Sequence, residues 1–145
     1  MSAERPPLPF AQQRLVFFAL LLGMTMYAIV VAVVLQTNDG KGMGEAPIEM
    51  LDTVVIAVGA ASALGAFSLR GILQRQAEAA VGADRSHMRF RATLVPLAMI
   101  EGGCLFGLTV WMLNGNAVPN LVVAMVLLSV AIAFVPFSDP DAGGR

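Results

Sequence analysis

The chain reads as an all-α polytopic membrane protein, an antiparallel bundle of four transmembrane helices. Three observations predict this fold. Of 145 residues 57% are hydrophobic and only 13% charged, against about 25% charged in an ordinary soluble domain. The mean hydropathy is +0.76, and the apolar residues fall into four long runs. A domain of this size could not bury that much apolar surface and still coat its exterior with 9 basic and 10 acidic side chains.

The first run, 15–35 (LVFFALLLGMTMYAIVVAVVL), is uncharged for 21 residues, enough to cross a hydrocarbon core of roughly 30 Å. Its length and the Val33-Val34-Leu35-Gln36 sequence at its end argue against a cleaved signal peptide. The second, 53–69, is shorter and filled by Ala, Gly and Ser. The third, 92–113, carries one acid near its middle. The fourth, 117–137, has Pro119 near its start, where a missing N–H costs nothing, and Pro136 near its end. Together they predict a single four-span domain over 1–145, with residues 1–14, 70–91 and 138–145 on one side.

Basic residues set the orientation. Arg5 and Arg14 precede span one, Arg70, Arg75, Arg85, Arg89 and Arg91 lie between spans two and three, and Arg145 ends the tail. The first loop holds only Lys41 among acids, and the Asn114-Gly115-Asn116 turn holds no charge. Both termini are therefore expected in the cytoplasm, across a bacterial inner membrane. Residues 70–83 (RGILQRQAEAAVGA) predict a helical continuation at the membrane surface that Gly82 stops, with Asp84 or Ser86 as caps for span three. Arg85, Arg89 and Arg91 are candidate contacts for anionic headgroups, at about 1 kcal/mol per charge. Their simpler role is to set topology.

Glu101 is the one ionisable group inside the spans. It lies nine residues beyond Ala92, roughly 13 Å deep, where an ionised carboxylate costs at least about 2.5 kcal/mol. By the same count Ser62 and Ser129 lie roughly 12 Å deep and Thr25 roughly 15 Å. One reading gathers Thr25, Ser62, Glu101 and Ser129 into a site for a proton or cation. The other has a neutral Glu101 fastening the bundle by a hydrogen bond. Gly103 and Gly107, four apart, share a face turned away from Glu101, and Ala57, Ala61 and Gly65 repeat the interval in span two. These small residues predict close packing between spans two and three or between protomers. Pro96 and the glycines also fit the broken helix of a transporter.

The segment Ile100-Glu101-Gly102-Gly103-Cys104-Leu105-Phe106-Gly107, after an Ala/Gly-rich helix and a basic loop, resembles the hairpin of rotary-ATPase proteolipid subunits over about Thr53 to Leu113. The resemblance implies that Glu101 occupies the ion-binding position. The whole chain, with Arg91-Ala92, Glu101-Gly102, Asn114-Gly115-Asn116 and Pro136, is also similar to small bacterial four-helix membrane proteins of unknown function.

Other chemistry is excluded on residue type and spacing. A net charge of −1 gives no basic field for nucleic acid. Gly40-x-Gly42-x-Gly44 follows no strand, so it is read as part of a flexible acidic loop rather than a dinucleotide fingerprint. One cysteine, Cys104, and one histidine, His87, leave no metal set, no haem pair and no nucleophile with a base. Met24 and Met26, two apart, point to different faces. No cofactor is expected. The leading expectation is a noncatalytic membrane subunit that associates with itself or another membrane protein through small-residue faces. Proton or cation translocation at Glu101 is the alternative, and a small-solute exporter the third reading; small multidrug exporters place their essential acid in the first span, where this chain has none.

Overall fold

The computed structural model describes residues 9–44 and 48–137, and there the chain is helical without strands. Its helices are α1 (Phe10–Thr37), α2 (Glu49–Ala79), α3 (Ala83–Asn114) and α4 (Asn120–Phe134). Arg5, Arg145 and the expected tail lie outside the described residues. Helices α1, α2 and α3 are long and apolar enough to cross a membrane. Helix α4 is equally apolar but has 15 residues, about 22 Å at helical rise, and not the 21 expected over 117–137. Its two prolines explain the difference. Pro119 stands just before its first residue, and Pro136 pushes Val135 out of helical geometry, to ψ 123°.

The helical continuation expected from residue 70 is present, with α2 unbroken to Ala79, but the rest of the expected loop is helical too, since α3 has already begun at Ala83. At 31 and 32 residues these helices run about 47 Å, some 15 Å longer than a hydrocarbon core. Between Leu69 and Ala79 only Gly71 weakens helix propensity, and the Gln, Arg, Glu and Ala residues around it sustain it. Reversal waits for Gly82, whose φ of 65° suits a residue without Cβ. Neither Asp84 nor Ser86 caps α3; Ser86 instead accepts a hydrogen bond from Gln13 Nε2 at 3.5 Å.

Helix α3 is the axis of the molecule. It touches α1, α2 and α4, whereas α1 and α2 share no contact among the described residues. Its span is 44% buried, against 17% for each of α1 and α2. It runs through Pro96 without interruption, so the broken-helix reading fails. The core is built from α1 at Phe17, Met24, Val31 and Leu35, and from Leu97, Ile100, Leu108, Leu127 and Ala131 on α3 and α4. Met24 faces inward and Met26 outward, as their spacing requires. At the arginine-rich end Phe17 packs on Phe90 and Phe67 on Phe134, with ring centroids 5.6 and 5.0 Å apart. Arg70 lies 4.2 Å over the Phe134 ring, a cation–π contact.

At the opposite end, residues 38–44 form an ordered strap, not the flexible loop their composition suggests. Met43 and Gly44 N–H donate to the carbonyls of Met112 and Leu113 at 3.0 and 2.9 Å. These are among the last-turn carbonyls of α3, which no intrahelical donor can reach. Gly42 must be glycine, because a Cβ there would fall on the Leu113 carbonyl oxygen.

Candidate functional site

The four residues grouped by depth, Thr25, Ser62, Glu101 and Ser129, do not meet. The Thr25 hydroxyl donates to the Leu21 carbonyl and that of Ser129 to the Met125 carbonyl, both at 2.8 Å and both on exposed faces. Ser62 packs against Gly103, on the other side of α3 from Glu101. Counting residues inward fixes height along a helix but not direction around it. The heights also shift. Asn114 and Asn120 both donate to Asp52, so the three residues set a common level. From it Glu101 is thirteen residues away, about 20 Å, while Ser62 and Ser129 are about 15 and 14 Å away.

Gly103 and Gly107 are spent on internal packing. A Cβ at Gly103 would lie 2.7 Å from Ser62 Oγ and 3.0 Å from Leu127 Cδ1, and one at Gly107 would lie 3.2 Å from the Asn120 carbonyl oxygen. This face of α3 therefore receives α2 and α4 together. On α2 the buried partners are Val55, Gly59 and Ala66, not Ala57 and Ala61, which are exposed. Gly65 abuts Met99. On α3 the four-residue interval marks packed positions; on α2 it joins the packed Gly65 to Ala57 and Ala61, which stay exposed, because Ala and Gly occur on every side of that helix.

Glu101 occupies the side of α3 that these contacts leave free. With Gly23 and Tyr27 of α1, and Leu105 and Thr109 of α3, it lines an open groove of about 400 Å³. The described residues give its carboxyl no hydrogen bond or ion pair. One turn pair along the groove, Tyr27 Oη and Thr109 Oγ1 are 3.0 Å apart. Thr109 donates its single proton to the Leu105 carbonyl at 2.8 Å, so Tyr27 is the donor of that pair. The groove thus joins one unpaired carboxyl to an aromatic ring and two hydroxyls whose protons are committed. Counting by depth sets Tyr27 about a half-turn beyond Thr25 but gives it no part in the site, and it does not single out Thr109, because which hydroxyls face the groove depends on direction around the helix.

A second polar cluster closes the strap end. Asp52 Oδ1 accepts from Asn114 Nδ2 at 3.1 Å and from Asn120 Nδ2 at 2.7 Å. Asn114 also pairs with both backbone groups of Ile48, at 3.2 and 3.1 Å, and Asn120 donates to the Asn116 carbonyl at 3.1 Å. Asn120 is 0% exposed, and its Oδ1 is the one buried side-chain polar atom among the described residues that lacks a partner. The cluster ties the starts of α2 and α4 to the end of α3. Its members sit at the edges of apolar runs, where Asn and Asp read as turn residues.

The arginines of the hairpin do not form one patch. Arg85 and Arg89 are one turn apart on α3, whereas Arg91 lies nearly opposite Arg89; Arg85 and Arg91 are exposed and Arg89 half-buried. No protein-family model, no curated protein and no solved structure matches the chain.

Proposed function

We propose that the chain is a small noncatalytic membrane protein whose working group is Glu101, a carboxyl that takes up and releases a proton from the groove between α1 and α3. One observation carries this reading: the lone acid of the apolar spans lines an open groove and has no internal partner among the described residues. A carboxyl kept only to fasten the bundle would be bonded within it. The arginine-rich end, holding the start of α1, the end of α4 and the α2–α3 hairpin, faces the cytoplasm of a bacterial inner membrane, in keeping with the positive-inside rule.

Dicyclohexylcarbodiimide, which modifies protonated intramembrane carboxyls, tests the reading. Labelling should fall on Glu101, decline as pH rises and vanish in Glu101→Gln. No labelling at any pH, together with unchanged proton flux in liposomes carrying Glu101→Gln, would overturn it.

A second reading, a subunit that associates through small-residue faces, rests on the α2 part of that set. Gly103 and Gly107 are covered within the chain, but Ala57 and Ala61 remain exposed on α2 and would let a neighbouring helix approach closely. Native mass measurement of Ala57→Leu with Ala61→Leu tests this. A smaller assembly than wild type supports it, and an unchanged one counts against it.

A further inference from the structure

The only charge in the groove is negative, and its surroundings select among the cations that might neutralise it. A metal ion such as Ca²⁺ takes six to eight oxygen ligands. Here the lining supplies one carboxyl and two hydroxyls, and those hydroxyls are already bonded to each other and to the Leu105 carbonyl. The remaining lining residues, Leu105 and Gly23, bring no polar side chain. A strongly hydrated ion would be stripped of water there without replacement ligands. A cation that carries its own apolar shell loses little on entry. It also gains the Tyr27 ring, whose face attracts positive charge.

Size agrees. The groove, at about 400 Å³, lies in the range of about 300–1,000 Å³ that small-molecule sites occupy. Gly23 keeps it open, since a Cβ at that position would meet nothing within 4 Å. Any larger residue would enter space that no other part of the chain fills.

We infer that this groove binds a lipophilic organic monocation, an ammonium or phosphonium with apolar substituents, in exchange for the proton on Glu101. The inference rests on the reading of Glu101 as a proton-exchanging carboxyl. The balance is simple: the O–H bond of the acid breaks, the proton passes to water, and the carboxylate left behind pairs with the incoming cation. No covalent bond to the cation forms, and the site is neutral before and after.

Tetraphenylphosphonium is the probe, titrated into the purified full-length protein in detergent and weak buffer. Binding should be saturable, should release about one proton per cation bound, and should weaken as pH falls, because protons compete for the same carboxyl. Glu101→Gln should weaken it by about tenfold or more, the loss of a partly desolvated charge pair. Gly23→Leu, which fills the groove from open space, should weaken it comparably while gel-filtration elution and helical circular dichroism stay as in wild type. Binding that ignores pH and persists in Glu101→Gln would reveal an acyl-chain site and overturn the inference. So would a lack of saturable binding, or failure of the cation to protect Glu101 from carbodiimide. If carbodiimide labelling itself remains pH-dependent in that case, only the organic-cation inference falls; if labelling is absent too, the proton reading falls with it.

Discussion

Gly103 shows how a single absent side chain holds three helices together. With Ser62 and Leu127 already within 3.0 Å of where its Cβ would stand, Gly103→Leu should destabilise the folded chain by about 1–3 kcal/mol, the usual cost of overpacking. Thermal unfolding in detergent would register it directly, as a fold defect and not as a change in assembly. Asn120 sits at the other extreme, a polar residue that the bundle cannot do without. Asn120→Ala removes the 2.7 Å bond to Asp52 and the one to the Asn116 carbonyl, and should cost about 1–3 kcal/mol by leaving an acceptor underserved. Tyr27→Phe should be much milder, about 0.6 kcal/mol, because Thr109 keeps its bond to Leu105.

At the scale of elements, the strap and the hairpin have the same logic of backbone satisfaction. The strap 38–44 supplies N–H groups to the end of α3, and Gly42 is the residue that allows its approach. Gly42→Ala should therefore lift the strap and expose those carbonyls. Hydrogen exchange of the Met43 and Gly44 amides is the readout, with faster exchange in the variant and no change across 90–105. The hairpin closes on itself, with the Ala80 N–H donating to the Gln76 carbonyl and the Arg85 N–H to the Gly82 carbonyl, both at 3.2 Å. It carries Val81, 86% exposed, at its tip. Val81→Cys, made with Cys104→Ala, should react with a membrane-impermeant maleimide in inside-out vesicles and stay unreactive in right-side-out ones. The reverse pattern would invert the proposed orientation.

For the whole molecule, the consequential feature is that α3 is shared. Three neighbours pack on it, yet α1 and α2 do not meet, so part of α3 remains uncovered between them. Gly103 and Gly107 turn toward α2 and α4, and two residues before Gly103 a rotation of about 200° carries Glu101 to the α1 side. The groove exists because three neighbours do not cover every side of the central helix. Its acid is thereby kept in the membrane without an internal bond, which is the basis of both functional proposals.

What the sequence determined is the set of four helices and the apolar stretch at the heart of each. Runs such as 15–35 are too apolar for water, and the prolines at 119 and 136 end what composition alone would prolong. It also isolated Glu101, because a charge in an apolar span is visible without coordinates. Depth was readable to within a turn or two. Direction was not: Thr25 and Ser129 were grouped with Glu101 and lie on exposed faces, and nothing in the sequence separates the exposed Ala57 and Ala61 from the buried Gly59. In α2 and α4 nearly every side is apolar or small, so no periodicity marks the buried stripe; in lipid the outward face is as hydrophobic as the inward one. Tertiary structure alone decided azimuth. It spent the small residues of α3 on packing, drew Tyr27 across to Thr109, and left the carboxyl of Glu101 facing an open groove.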